Sequence, residues 1–234
     1  MSARKKIAVL TGAGVSAESG IATFRDSNGL WENHRVEDVA SPAGFARDPQ
    51  LVLQFYNLRR AQLHTVAPND GHRIIAELED DYDVTVVTQN IDDLHERAGS
   101  RRIIHLHGEL LKARPVDTDS GIVDWPGDIN LGDTDERGVQ LRPHIVWFGE
   151  QVPMLEAAAN VVAAAHLILI VGTSMQVYPA AGLVGYAPAS VPVIYVDPNP
   201  TINYELQSRD ITTIVKGGSE GMVEARELIR DIIG

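Results

Sequence analysis

The sequence predicts an α/β protein in which a parallel β-sheet is covered by helices on both faces. Three observations carry this prediction. Short apolar runs of strand length alternate along the chain with segments of helical periodicity. The first run, residues 7–10, ends in a Gly-Ala-Gly turn at residues 12–14, which is typical of a Rossmann-like sheet. Residues 112–142 lack periodicity and are rich in Pro, Gly and Asp, so they predict an irregular excursion and, with it, a smaller domain formed by insertions.

The turn at residues 12–14 has the composition of a ligand-binding turn. Glycines let the backbone approach a ligand closely, and a helix starting at Ser16 would aim its N–H groups at a phosphate. On the turn alone, a ligand-free connection between strand and helix remains the alternative. A long loop at residues 20–29 follows and carries an aromatic residue and an arginine. Loops of this length usually fold over a ligand.

Residues 37–81 read as helices. Prolines are expected to break this region at three positions: Pro42, Pro49 and Pro68. Residues 51–63 carry apolar side chains at helical spacing. Tyr56 and Arg59 lie three positions apart and are therefore predicted to share one face of this helix. The next helix is expected to start near Asn69.

The rest of the chain continues the alternation of strands and helices. Strands are expected at residues 84–87, 103–104, 168–171 and 193–196, and helices at residues 92–98, 154–165 and 221–233. We divide the chain into a large Rossmann-like part, about residues 1–31, 82–111 and 143–234, and a small part, about residues 32–81 and 112–142. Ligands of open α/β sheets bind beyond the carboxyl ends of the strands, so the cleft should lie between the two parts.

Composition and charge argue against several functions. The chain of 234 residues has a formal net charge of −12, which disfavours tight nucleic-acid binding because a phosphate backbone requires a basic face. It contains no cysteine, so disulfides and thiolate metal sites are excluded. The longest apolar runs are too short to span a membrane, and residues 1–6 lead straight into a strand with no sign of a signal peptide. We therefore expect a cytoplasmic protein with no nucleic-acid or membrane partner.

Polar side chains follow two of the predicted strands. Gln89, Asn90 and Asp92 come directly after a buried strand, where they are costly to bury unless each has a partner. Capping of the next helix by Asp92 or Asn90 is the alternative. His107 stands at the end of another strand, and histidine suits acid–base chemistry near neutral pH. A lone histidine is more often structural, and His105, predicted on the same strand face, is the competing base.

Four blocks of the sequence together resemble the sirtuins, the NAD-dependent protein lysine deacylases. The blocks are residues 5–31, 88–92, 107–110 and 172–174. They occur in the family's order and span nearly the whole chain. The resemblance implies an enzyme of the bacterial class III sirtuin type that uses NAD as co-substrate and acts on acylated lysines of proteins. Its products would be the free lysine, nicotinamide and O-acyl-ADP-ribose.

The resemblance also assigns residues to the NAD site. Asp92 would bind the nicotinamide carboxamide, while Gln89 and Asn90 would hold the ribose and position water. The family's His-Gly pair selects His107 as the general base, so His107 and Asn90 are the catalytic candidates. The family usually has Asn at the position of Asp197, and either side chain can bond a ribose hydroxyl. The residues expected around NAD are Gly12, Ala13, Gly14, Ser16, Ala22, Phe24, Arg25, Trp31, Gln89, Asn90, Ile91, Asp92, His107, Gly172, Thr173, Ser174, Asp197, Pro198, Asn199 and Gly218.

A second set of residues is expected to bind the acyl-lysine. Residues 143–150 resemble the segment that lines the family's acyl-lysine tunnel, although a buried strand with aromatic residues would give the same pattern. Tyr56 and Arg59 match the family's pair that recognises acidic acyl groups; a solvated helix face is the alternative. The resemblance therefore implies removal of succinyl and malonyl groups, with acetyl also accepted. The expected substrate-binding residues are Tyr56, Arg59, Val146, Trp147, Phe148, Gly149, Val177 and Tyr178.

Two other functions would use the same NAD site. One is mono-ADP-ribosyl transfer to protein, and the other is sensing of NAD or ADP-ribose without turnover. His107 and Asn90 argue against a sensor, because a sensor has no need of a base.

The chain departs from the family in its small part. Most sirtuins hold a structural zinc there with two pairs of cysteines, whereas this chain has no cysteine. Pro115 stands about where the first thiolate would be, and the nearby carboxylates lack a histidine partner, so we expect no zinc or other bound metal. The excursion should instead be held by its apolar residues: Ile122, Val123, Trp125, Ile129, Leu131, Val139 and Leu141.

Overall fold

The computed structural model describes residues 3–22, 30–31 and 34–234. Two residues expected around NAD, Phe24 and Arg25, lie outside the described residues, and so does the side chain of Trp31. In chain order, the described strands are β1 (Lys6–Thr11), β2 (Leu30–Trp31), β3 (His34–Arg35), β4 (Asp83–Thr88), β5 (Ile103–His105), β6 (Gly108–Pro115), β7 (Val123–Asp124), β8 (Leu141–Ile145), β9 (Leu167–Val171), β10 (Val193–Val196) and β11 (Ile211–Ile214). The described α-helices are α1 (Ala13–Ser16), α2 (Val36–Val39), α3 (Pro42–Arg47), α4 (Pro49–Leu63), α5 (Asp70–Glu77), α6 (Leu94–Ala98), α7 (Leu155–Ala163) and α8 (Gly218–Ile233).

The central sheet is parallel. Its described strands lie in the order β11-β10-β9-β1-β4-β5, with Ile7 of β1 between Leu167 of β9 and Val84 of β4. Every residue of β9 is buried, as expected for a strand covered on both faces. One apolar core joins the sheet to α7, and a second joins the opposite face to α5 and α8. The prediction of an α/β fold with helices on both faces is therefore confirmed.

Two of the prolines that are expected to break the helical region stand at breaks between helices, each at the start of the next helix. Pro42 and Pro49 are the first residues of α3 and α4, where the missing N–H of proline costs no hydrogen bond. The side chains of Ser41 and Asp48 cap these helices by accepting hydrogen bonds of 2.9 Å from backbone N–H groups of the first turn. The expectation of breaks is confirmed at these positions, because the preceding helix ends shortly before each proline.

Other helix boundaries follow from side-chain caps. α5 begins where the sequence predicts, with Asn69 as its cap. Ser16 is the last residue of α1 rather than the first residue of a helix, so that expectation is wrong. α6 begins at Leu94, later than predicted, and Asp92 Oδ1 accepts a hydrogen bond of 3.1 Å from Leu94 N. None of the helices in the described ranges is long and apolar enough to cross a membrane.

The smaller domain contains a three-stranded antiparallel sheet among its described residues. Its strand order is β7-β6-β8, and α4 packs against β6 and β8. The expectation of an irregular excursion over residues 112–142 is wrong at both ends, because β6 continues to Pro115 and β8 starts at Leu141. The core between helix and sheet is small and consists of Leu53, Ala113, Ile129 and Leu141.

The excursion is held by fewer apolar side chains than predicted. Ile129 and Leu141 are buried. Three others are exposed, and the prediction is wrong for them: Ile122, Val123 and Leu131, at 45%, 45% and 54%. Asn57 of α4 replaces part of this packing, because its side-chain amide bonds both the N–H and the C=O of Ile129 at 2.9 Å.

Charged side chains shape the turns of the excursion. Arg137 forms ion pairs of 2.9 Å with Asp117 and 2.8 Å with Asp135. Asp135 also accepts a hydrogen bond of 2.9 Å from Val139 N. Exposed ion pairs stabilise a protein little, so their main effect is to give the backbone groups of these turns partners.

Candidate active site

A cavity of about 610 Å³ opens at the carboxyl ends of β1, β4, β9 and β10. Its other wall comes from α4 and from the segment after β8. Of the residues expected around NAD whose side chains are described, all but Gly218 line the cavity. Gly218 is buried at the start of α8, and its neighbour Gly217 lines the cavity instead. All the expected substrate-binding residues line the cavity as well.

The turns after β1 and β9 pack directly against each other. Gly14 N donates a hydrogen bond of 2.7 Å to Gly172 O, and a Cβ on Gly14 would lie 2.7 Å from that same oxygen. Gly172 has a φ angle of +61°, in the left-handed region that favours glycine. Larger residues would push the two turns apart, so these glycines let residues 12–14 and 172–174 form one continuous wall.

Each polar side chain at the end of β4 has a buried partner. Asn90 Nδ2 donates to Gly12 O at 3.2 Å and to Ser16 Oγ at 3.1 Å. Ser16 Oγ in turn donates to Asp92 Oδ2 at 3.0 Å. Burial raises the pKa of Asp92. Asp92 also accepts a hydrogen bond from Leu94 N at the start of α6. The same carboxylate therefore lines the cavity and binds the start of the next helix, so the two interpretations of Asp92 are compatible.

A pair of buried histidines lies beneath Ser16, and the sequence reasoning missed it. His72 Nδ1 accepts from Asn69 N at 3.4 Å, so its proton is on Nε2, which faces Ser16 Oγ at 3.4 Å. His95 Nε2 lies 3.0 Å from Thr11 Oγ1, and the two rings are 4.9 Å apart. Burial lowers the pKa of His72 to about 4 and that of His95 well below its usual value. The position of His72, three residues after the cap Asn69, was the one available sequence signal.

His107 presents an unprotonated nitrogen to the cavity. Its Nδ1 lies 2.9 Å from Gln89 O, and a carbonyl oxygen only accepts, so Nδ1 carries the proton. Nε2 is then the atom with the lone pair. Burial lowers the pKa of His107, and the bond to Gln89 only partly offsets this. The side chain is therefore neutral near pH 7 and able to take a proton.

His105 is in the opposite state. Its Nδ1 lies 3.2 Å from Asn90 O, and its Nε2 lies 2.6 Å from Glu96 Oε1. Both neighbours are acceptors, so both ring nitrogens must donate and the ring is an imidazolium. Burial is the largest single influence and lowers the pKa of His105, but the hydrogen bond to Glu96 and the charges of Glu96 and Glu109 together outweigh burial, so the net pKa is raised. A protonated ring outside the main cavity does not compete with His107 as a base.

Glu96, His105 and Glu109 form the one group in the described part of the chain whose atoms could converge on a metal ion, all within 4.8 Å. Each carboxylate already has a cationic partner: Glu96 pairs with His105, and Glu109 pairs with Lys112 at 3.0 Å. The charges of this group are therefore balanced by the protein's own side chains.

Tyr56 and Arg59 lie at the end of the cavity formed by α4. Tyr56 is fully buried, and its hydroxyl oxygen accepts a hydrogen bond of 3.0 Å from Trp147 Nε1. Arg59 is 8% exposed, with its guanidinium 5.1 Å from the centre of the Phe55 ring. Burial lowers the pKa of Arg59 to about 10, so the side chain stays a cation near neutral pH. This helix face is buried rather than solvated.

Thr173 and Asp197 border the opposite end of the cavity. Tyr195 donates its hydroxyl to Thr173 O at 2.7 Å, and Gln89 Nε2 donates to Thr173 Oγ1 at 3.0 Å. Asp197 Oδ1 accepts a hydrogen bond of 2.8 Å from Asn199 N. These bonds fix the backbone at the ends of β9 and β10, where several of the residues expected around NAD lie.

Comparison with known proteins gives a consistent picture. The model of the Sir2 family matches residues 12–179. The "NAD-dependent protein deacylase" of Bacteroides thetaiotaomicron is 51% identical over 231 residues, which cover 96% of this chain and 98% of that protein. The protein of the same name from Helicobacter pylori is 55% identical over 194 residues, or 83% of each chain.

Solved structures match over nearly the whole length. A Sir2 homologue in complex with ADP-ribose superimposes with a TM-score of 0.85 at 37% identity, covering 97% of this chain and 93% of that one. A complex of a Sir2 homologue with NAD gives a TM-score of 0.84 at 37% identity, covering 99% and 91%.

Proposed function

The chain belongs to the Sir2 family, and we propose that it removes succinyl and malonyl groups, as well as acetyl groups, from lysine side chains. It is an NAD-dependent protein lysine deacylase, like curated relatives that are about half identical over most of its length. NAD is its co-substrate. Our proposal concerns the choice of acyl group, the bacterial class III type and the roles of individual residues.

The observation that supports acidic acyl groups is the burial of Tyr56 and Arg59 side by side on α4. Among the described residues that line the cavity, Arg59 is the one Lys or Arg side chain. A guanidinium in this position has little access to water. A carboxylate on the acyl chain would give it charge-assisted hydrogen bonds, and the Tyr56 hydroxyl would add another.

In the reaction we propose, His107 acts as the base. The acyl oxygen bonds to C1′ of the ribose of NAD as the bond between C1′ and nicotinamide breaks. A ribose hydroxyl then attacks the acyl carbon, the bond from that carbon to the lysine nitrogen breaks, and a water molecule supplies the oxygen that completes the ester on the ribose. His107 Nε2 takes the proton of a ribose hydroxyl, since its Nδ1 is committed to Gln89 O. The buried polar groups Asn90, Ser16 and Asp92 hold the nicotinamide end and keep fixed dipoles near the centre where positive charge develops.

We also propose that the smaller domain does without the family's zinc. The chain has no cysteine. Arg114 and Pro115 end β6 at the expected position of the first thiolate, and Arg114 is committed to Asp119 at 3.0 Å. Asp135 is committed to Arg137 and to Val139 N. A proline and an arginine cannot ligate zinc, and the Asp135 carboxylate is already bound to an arginine and a backbone N–H, so these groups do not form the four-ligand site that a structural zinc takes.

The proposal on acyl choice is tested with three peptides of one sequence whose lysine is succinylated, malonylated or acetylated. Each is incubated with NAD, and products are followed by mass spectrometry. We expect all three to be deacylated, with O-acyl-ADP-ribose formed in each case. A protein that removes acetyl but leaves both acidic acyl groups in place would contradict the proposal.

Arg59→Met is the sharper test because it keeps the length and packing of the side chain while removing the charge. Loss of a hydrogen bond to a charged group costs about 1.5–3 kcal/mol, so kcat/KM for the succinyl peptide should fall accordingly and that for the acetyl peptide should change little. Arg73→Met, on the exposed face of α5, is the matched control. Equal losses on both peptides would mean that Arg59 supports the fold rather than the specificity.

A further inference from the structure

A buried arginine lies behind the acyl end of the cavity. Arg142, on β8, is 3% exposed, and its guanidinium carbon lies 3.2 Å from the centre of the Trp147 ring. Its Nη1 and Nη2 atoms donate to the two carboxylate oxygens of Glu150 at 2.6 and 3.1 Å, and Nη2 also donates to Ile145 O at 2.8 Å. These bonds fix the plane of the guanidinium, so Trp147 stacks on a rigid surface.

The side chain of Glu150 also binds the main chain of Trp147. Glu150 Oε2 accepts a hydrogen bond of 2.7 Å from Trp147 N. A single carboxylate therefore binds both the guanidinium that covers the ring and the backbone that carries it. We call Arg142 and Glu150 together the Arg142–Glu150 clamp. Arg114 lies 3.6 Å from Glu150 Oε1 and donates to Thr118 O at 2.7 Å, so it connects this clamp to the excursion of the smaller domain.

Trp147 in turn sets the direction of the Tyr56 hydroxyl. The indole N–H only donates, so in the 3.0 Å bond between Trp147 Nε1 and Tyr56 the phenol oxygen is the acceptor. The hydroxyl hydrogen must then point away from Trp147. Carboxylate oxygens only accept. An acyl chain that ends in a carboxylate can use a donor in this place, whereas the methyl group of an acetyl chain cannot.

We propose that Arg142 and Glu150 are positioning residues for acyl selectivity: by clamping Trp147, they keep the Tyr56 hydroxyl oriented as a donor to an acidic acyl group. The inference rests on the acyl preference proposed above. Buried ion pairs are often no more stabilising than apolar residues of the same volume. The clear contribution of this pair is a fixed geometry, and that geometry acts on Trp147 and through it on Tyr56.

The test compares Arg142→Lys, Glu150→Gln and Trp147→Phe with the wild-type enzyme. Arg142→Lys keeps the charge but loses the planar, two-pronged contact. Glu150→Gln keeps an acceptor for Trp147 N but weakens the bond to Arg142. Trp147→Phe keeps an aromatic ring and removes the donor to Tyr56. The control is Arg226→Gln, which breaks an exposed Arg–Glu pair between α8 and α5.

The quantity measured is the ratio of kcat/KM for succinyl-lysine to kcat/KM for acetyl-lysine peptides, with binding of each peptide followed by calorimetry. We expect Arg142→Lys and Trp147→Phe to lower this ratio by about tenfold, mainly through KM and peptide affinity, because one oriented hydrogen bond to a charge is lost. Glu150→Gln should have a smaller effect in the same direction, and Arg226→Gln should leave the ratio unchanged.

A double-mutant cycle separates positioning from a purely structural role. In a Tyr56→Phe background, Arg142→Lys and Trp147→Phe should leave the ratio where Tyr56→Phe alone puts it, because the hydroxyl through which they act is gone. Full additivity would overturn the inference. If Arg142→Lys does not fold, Trp147→Phe in the two backgrounds decides the question alone.

The outcomes also distinguish this inference from the proposal beneath it. A wild-type enzyme that does not act on succinyl-lysine overturns the proposed acyl preference itself. A wild-type enzyme that removes succinyl groups and loses this on Arg59→Met, while Arg142→Lys and Trp147→Phe keep the ratio, overturns only the positioning role. Equal losses on both peptides would likewise assign the clamp to folding.

Discussion

Two histidines near the end of β5 differ in charge because they have different partners. His107 has one carbonyl acceptor and an open nitrogen, whereas His105 lies between a carbonyl and a carboxylate. The first is a neutral ring suited to accept a proton, and the second is a cation in an ion pair. Sequence position alone did not separate them; the family's His-Gly pair did, and the hydrogen bonds give the physical reason.

Removal of the base should abolish turnover without unfolding the protein. We expect His107→Ala to lower kcat by about 10²–10⁴-fold, with an unchanged melting temperature, because the residue lies at a cavity wall rather than in an apolar core. The measurement is nicotinamide release with an acetyl-lysine peptide. His166→Ala is the matched control, since His166 is an exposed histidine at the far end of β9. Normal turnover in folded His107→Ala would remove His107 from the mechanism.

The buried His72 should make stability depend on pH. Its pKa is lowered by burial from 6.5 to about 4, so between these values the unfolded chain binds a proton that the folded protein does not. Above pH 6.5 the neutral His72 therefore costs the folded protein no stability. As the pH falls from 6.5 towards 4, the free energy of unfolding should decrease by about 3 kcal/mol because of this one group.

Urea unfolding at a series of pH values between 4 and 7 measures this effect. His72→Gln should show a shallower decline in the same range, because the group that takes up the proton on unfolding is absent. Asp92, whose pKa is raised, makes the free energy of unfolding change with pH in the opposite direction. It is present in both proteins, so its effect cancels when the two pH profiles are compared. Identical pH profiles for the two proteins would contradict the assignment of a neutral His72.

At the scale of elements, the smaller domain shows how little apolar burial a short excursion needs. Its core is four side chains, and several of its apolar residues face solvent. Asn57 clasps the backbone of Ile129, and Asp135 bonds two backbone N–H groups of its own turn. The excursion is therefore held mainly by side chains that bond backbone groups and by the packing of the small sheet against α4. Neither feature produces a periodic pattern in the sequence.

This architecture leads to a prediction on metal content. Purified protein should contain far less than one zinc per chain by elemental analysis, and a chelator should leave both the melting temperature and deacylation unchanged. The reason is that the carboxylates and arginines of the excursion already satisfy one another. Stoichiometric zinc, or unfolding on chelation, would show that side chains other than cysteine bind the metal.

At the scale of the whole molecule, the parallel sheet brings the candidate active-site residues together at one edge. The carboxyl ends of β1, β4, β9 and β10 meet there, and α4 and the segment after β8 close the cavity over them. Parallel strands point their carboxyl ends in the same direction, so polar residues that follow different strands come together. The packing of α4 against β8 likewise makes direct neighbours of residues that are far apart in the chain, such as Tyr56 and Trp147.

The sequence by itself determined the fold class, the glycine turns and the polar residues at strand ends, because periodicity and turn chemistry are written in adjacent residues. It placed Tyr56 and Arg59 on one helix face for the same reason. Only the tertiary structure decided which prolines begin helices, which apolar residues of the excursion are buried, and which nitrogen of each histidine carries its proton. It alone revealed His72, His95 and the Arg142–Glu150 clamp. The side-chain partners of Ser16, and the Tyr56 hydroxyl that accepts from the Trp147 indole, lie 56 to 91 positions away along the chain, and no local pattern specifies such a contact.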